Sequence, residues 1–163
     1  MIRAFALTGA AALTALAAAC NPLAQAGVCG AVPAGEIETA LGGKPQAQAA
    51  AAETTDDKNQ TICSWTAETP EGGQRMLALM VERGSGRAHY ESESTKLKAA
   101  YTRVGALADV GEAALMGVGE DADVDRFSAE IVAIKGANVL SLRIEGKDPA
   151  AFEAVARSAA KAM

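Results

Sequence analysis

Apolar residues recur along this chain with two periods, and the switches between them divide it into elements. Pro33 to Leu41 predicts a short helix, with Ile37, Ala40 and Leu41 turned inward, Pro33 in its first turn and Gly42 placed to cap its end. Thr61 to Glu68 alternates, Cys63, Trp65 and Ala67 sharing one face, as a strand does. Gln74 to Glu82 is apolar on both faces, which suits a central strand. Thr69 to Gly73 forms the turn of a hairpin.

A helical period returns from Ser85, read as its cap, to about Tyr101, with Tyr90, Leu97 and Tyr101 inward and Glu91, Glu93, Lys96 and Lys98 in solvent. Between Thr102 and Val110 the pattern blurs, and Gly111 to Gly117 supplies one short strand. Arg126 to Lys135 and Val139 to Glu145 are rich in Ile and Val and joined by Gly136-Ala137-Asn138, which predicts a second hairpin. Asp148-Pro149 opens a last helix with an N-cap carboxylate and a first-turn proline, and Phe152, Val155, Ala156 and Ala159 form its inward face. The expected fold is α+β: a single antiparallel sheet with helices packed on one face, in the order α-ββ-α-βββ-α. Gly43 to Gln60 is read as a polar loop, with a marginal helical turn over Ala47 to Glu53.

The N-terminus sets the compartment. Arg3 is followed by an uncharged run from Ala4 to Ala19, shorter and richer in alanine than the roughly 20 strongly apolar residues of a membrane span. A positive start, an apolar stretch and small residues at its end make a signal sequence. Leu16-Ala17-Ala18-Ala19-Cys20 has the form of a lipobox, which would lipidate Cys20. Ala24-Gln25-Ala26 is the alternative, an ordinary small-x-small cleavage site. The organisation expected is a signal peptide over 1–19 (or cleavage after 26), a tether over 20–28 and one domain over 29–163.

Cysteine usage agrees with export. Cys20 is either lipidated or removed, which leaves Cys29 and Cys63 together where disulfides persist. Their bridge would be worth roughly 3–4 kcal/mol through the entropy of the unfolded chain. Such a staple suits a core that is half hydrophobic by composition but only 4% aromatic.

Charge and motifs exclude more than they propose. The formal charge is −5, with no basic cluster, so nucleic acid is not expected as a partner. Gly117-Val118-Gly119-Glu120-Asp121-Ala122 has the letters of a dinucleotide fingerprint, but its acidic run would repel a pyrophosphate. Asp121, Asp123 and Asp125 imitate a calcium loop whose later positions are wrong, and read as a solvated turn. His89 reads as an exposed pair with Glu93. Trp65 beside Cys63 reads as core packing. No catalytic constellation, cofactor or metal site is expected.

A lipobox-like cysteine, a second cysteine, a short helix ending Ala40-Leu41-Gly42, Cys63-Ser64-Trp65 opening a strand, Val110-Gly111-Glu112-Ala113, and a hairpin carrying Lys135-Gly136-Ala137-Asn138-Val139 precede a terminal helix. The layout resembles a group of small bacterial envelope lipoproteins that carry a domain of unknown function and are common in actinobacteria. The resemblance implies an exported α+β domain with the Cys29–Cys63 bridge, and brings no activity with it. The function expected is a cell-envelope lipoprotein, held to the membrane through its lipid, that binds an envelope protein or small ligand without being an enzyme. The alternative is an inhibitor of an exported hydrolase, presenting a loop from Gly43–Gln60 or Gly117–Asp125. A ligand binder would instead show an apolar pocket near Met76, Met80 and Leu97.

Overall fold

The computed structural model describes residues 27–47, 59–70, 72–119 and 127–163. Cys20, both cleavage sites, the helical turn expected over most of Ala47–Glu53 and the acidic turn of Asp121, Asp123 and Asp125 lie outside the described residues. The elements are α1 (Val28–Ala31), α2 (Ala34–Leu41), β1 (Gln46–Ala47), β2 (Gln60–Glu68), β3 (Gln74–Glu82), α3 (Gly86–Ala100), β4 (Arg103–Ala106), β5 (Ala113–Val118), β6 (Phe127–Lys135), β7 (Asn138–Gly146) and α4 (Pro149–Ala162).

All strands form one antiparallel sheet in the order β1-β2-β3-β7-β6-β5-β4. The α+β class, the antiparallel sheet and the alternation of helices with strands are as expected. Two strands are additional. β4 lies where the apolar pattern blurs, because as an edge strand with exposed Arg103, Gly105 and Ala106 it has little to bury. β1 adds two residues, Gln46 opposite Thr66 and Ala47 opposite Trp65, in what reads as loop.

The helices occupy both faces, which corrects the expectation of one covered face. On the first face α1, α2 and α4 bury Ile37, Leu41, Phe152 and Val155 against Trp65, Leu77, Leu79, Ile131, Leu142 and Ile144. On the other, α3 lays Tyr90 and Leu97 on Val132, Ile134 and Val139. The reason is in β6 and β7, which are apolar at both alternations in the half next to their turn. Ile131 opposes Leu142 on one face, while Ile134 opposes Val139 on the other, so each face needs a cover.

Local chemistry places each helix. Asp148 accepts hydrogen bonds from the Ala150 and Ala151 amides, capping α4 as expected. At its far end, Lys135 Nζ donates to the Ala160 and Lys161 carbonyls at 2.9 and 3.1 Å, where the helix is negative. Pro33 is the N-cap of α2 rather than a first-turn residue. Gly42 takes the left-handed conformation (φ 68°) and returns its amide to Glu38 and Thr39. The remaining carbonyls there are tied to the sheet: Arg75, buried, donates to Leu41 O at 3.1 Å, and the Lys147 amide to Ala40 O at 2.9 Å. Ser85 stands at the start of α3 without capping it, because its hydroxyl donates back to Glu82 O instead. The β6–β7 turn is two residues, Gly136-Ala137, with Lys135 paired to Asn138 and Gly136 at φ 59°.

Cys29 and Cys63 form the disulfide, Cα to Cα 5.7 Å, joining α1 to β2 across 34 positions of chain. Val28, assigned to the tether from sequence, is 3% exposed and part of α1, because the bridge seats its neighbour on the core. Trp65 is buried beside Cys63 in the same cluster. Replacing both Cys29 and Cys63 by Ala is expected to cost about 3–4 kcal/mol in urea unfolding. An unfolding free energy within about 1 kcal/mol of wild type would mean that the bridge adds nothing to this fold.

Candidate functional site

Among the described residues, the face that carries α3 is only half covered. α3 lies over β5, β6 and β7, and the β2–β3 side of the same face has no described helix above it. Alternation brings Ile62 and Ser64 of β2, Ala78 and Met80 of β3, Ser141 and Arg143 of β7, and Glu130 of β6 to that surface. A cavity of about 330 Å³ opens there, floored by Ile62, Ala78 and Met80 and walled by Glu93 of α3, Glu130 and Arg143. Met76 continues the floor along β3. At 43% exposure it is the exposed large hydrophobic side chain of the described residues.

The expected pocket near Met76, Met80 and Leu97 is thus present in part. Met80 lines it and Met76 flanks it, but Leu97 is buried beneath α3. Leu97 falls on the helix stripe that meets Val132 and Ile134, so it closes the small core instead of opening to the cavity.

Charged groups border this floor in fixed pairs. Arg143 Nη2 donates to Glu130 Oε2 at 2.8 Å, and the Tyr101 hydroxyl lies close enough to feel the same carboxylate's charge. The Arg143 guanidinium is held more firmly protonated by its hydrogen bond to Glu130. Burial, followed by the Glu130 charge, raises the Tyr101 hydroxyl above its ordinary 10.0. The Tyr101 ring sits where a Cβ on Gly117 would be, 2.6 Å from its Cδ2, so the glycine admits the ring.

At the other end, Gln60 Nε2 donates to Glu82 Oε1 at 3.1 Å, and His89 Nε2 stands 2.8 Å from Glu82 Oε2. The pairing of His89 with Glu93 is therefore replaced by one with Glu82. Glu93 takes Lys96 at 2.6 Å, and that contact raises the Lys96 ammonium pKa. The connection from β3, ending at Glu82, to α3, starting at Gly86, is short, which keeps His89 of the first turn within reach of Glu82.

Among the described residues, no three His, Cys, Asp or Glu side chains gather as metal ligands, and no helix is long and apolar enough to cross a membrane. Gly117 and Val118 of the dinucleotide-like letters lie in β5, and Glu120, Asp121 and Ala122 lie outside the described residues. Chemically, the site offers an apolar floor with two hydroxyls and a paired guanidinium at its rim, an arrangement suited to holding an apolar group. No family model, curated protein or solved structure matches this chain.

The Tyr101–Glu130–Arg143 group was missed from sequence, although a signal exists. Counting outward from the two-residue turn at Gly136-Ala137 puts Glu130 opposite Arg143, two polar residues on otherwise apolar strands. Because the folded state raises the Tyr101 pKa, the stabilisation from its neutral form is complete below pH 10 and falls as pH rises through the elevated value. In a Tyr90→Phe background, the tyrosinate absorbance is expected to develop above pH 10, with a loss of thermal stability that Tyr101→Phe removes. A midpoint at or below 10 would contradict the burial of this hydroxyl.

Proposed function

We propose that this chain is an exported cell-envelope lipoprotein whose folded domain is a non-enzymatic binding module, and that it holds an apolar group of a small ligand or partner protein on the half of its sheet that no described helix covers. The observation that carries the reading is the cavity beside α3. Its floor of Ile62, Ala78 and Met80, continued by the exposed Met76, offers apolar surface bordered by a few convergent polar groups. Methionine suits such a role because its flexible thioether adapts to differently shaped apolar groups. The carboxylates around it are engaged with Arg143, Lys96 and His89, which favours orienting a ligand over transferring its protons.

Export and lipidation are supported by the Arg3 to Cys20 pattern and by a disulfide of the kind that persists outside the cytoplasm. A lipid on Cys20 would leave the described domain, from Gly27 onward, on a short tether at the membrane surface.

The test places a photo-reactive benzoylphenylalanine at Met76 or Ser64, with exposed Ala99 of α3 as control, in the cells that make the protein. Irradiation followed by intact mass is expected to show adducts at Met76 and Ser64 but not at Ala99. The mass added would tell a small ligand from a protein, and the same spectrum would show a lipidated Cys20 as first residue. Labelling at Met76 and Ser64 no greater than at Ala99 would overturn the binding site, and a chain starting at Gly27 would overturn the lipid anchor.

A further inference from the structure

Strand β4 ends the sheet, and no described strand pairs with its outer side. The direction of its free groups follows from the ladder. The Leu107 amide donates inward to Ala114 O at 3.1 Å, so backbone alternation turns the N–H and C=O of Val104 and Ala106 outward. An unpaired edge is a template for another strand, and proteins blunt it with short length, charged side chains, proline or a bulge. β4 is a short strand, Arg103-Val104-Gly105-Ala106, whose one charge stands at its first residue, and Val104 to Ala106 carry neither charge nor proline.

We infer that β4 is a self-association edge, pairing antiparallel with β4 of a second copy about a two-fold axis at Gly105. In that register Val104 of each copy lies opposite Ala106 of the other, and each pair exchanges both of its outward hydrogen bonds. Gly105 meets Gly105 at the axis, where close approach of the two strands is least hindered. The half-buried Leu107 of each copy comes to rest against the aliphatic stem of the other's Arg103.

Charge selects a second copy over an unrelated strand. β4 begins at the cation Arg103, and just past its end stands the anion Asp109, which has no ion-pair partner among the described residues. Antiparallel pairing sets the positive end of each copy beside the negative end of the other, so the attraction is made twice. An interface of one strand pair is small, and the dimer dissociates on dilution. The inference is independent of what occupies the open face beside α3, since β4 lies at the far edge of the sheet from β2 and β3.

The test is sedimentation velocity over a concentration series, on the protein as its producing cells process it. The expected result is a concentration-dependent dimer that Gly105→Lys abolishes. A Cβ at Gly105 meets no atom within 4 Å in the monomer, so the variant keeps its fold, whereas two lysines would face each other at the axis. Hydrogen exchange provides a second readout that does not depend on any variant. The Val104 and Ala106 amides are expected to slow as protein concentration rises, while the inward Gly105 amide does not change. A protein monomeric throughout the series would overturn the inference. So would a dimer that survives Gly105→Lys, or one that leaves the Val104 and Ala106 amides exchanging as in the monomer.

Discussion

Between Phe127 and Gly146 two hydrophobic layers share one hairpin. Ile131, Ala133, Leu140, Leu142 and Ile144 face the helices α1, α2 and α4, while Val132, Ile134 and Val139 face α3. A hairpin whose turn half is apolar on both faces cannot stand at the margin of a sheet without exposing one of them, so β6 and β7 take the middle and the other strands add outward. The two-residue turn leaves no slack in their register, and a slip of one position would exchange the two cores. The placement of α3, and hence the extent of sheet left open, follows from that hairpin.

What could be read in advance was whatever repeats with a period or carries a cap. β3 matches its sequence-based bounds, β2, β6 and β7 match within a residue, and α4 starts where Asp148-Pro149 places it. β4 and β1 escaped because edge strands bury too little to leave an alternation, and their pairing depends on β5 and β2. The side of the sheet taken by α3 was open to inference from the two-sided apolar content of β6. It was obscured because a helix's own stripe does not name the face that it covers. His89 shows the same limit. Helical spacing offered Glu93, and only the short connection from β3 into α3 reveals Glu82 as its partner.

The candidate site was legible as a type of surface but not as a group of residues. Met76 and Met80 mark a strand whose second face has no assigned cover, which is visible from the chain alone. Glu130, Arg143 and Tyr101 come from three elements and converge through strand register and through the room above Gly117. Such groups carry no sequence signature, because each member alone looks like a polar residue at a strand or helix end.

The position of the Cys29–Cys63 bridge has a mechanical consequence. Any pull on the chain from before Gly27 enters the domain at α1 and reaches Cys29 within a few residues. From there the covalent route runs directly into β2, which is hydrogen-bonded along its whole length to β3. The load therefore bypasses α2 and its carbonyl contacts to Arg75 and Lys147, and spreads over the ladder as shear. Reduction would reroute the same force through α2 and peel the helical layer off the sheet one contact at a time. If held at a surface by its N-terminus, as proposed, the domain would thereby be fastened at its sheet rather than at its most easily frayed helix.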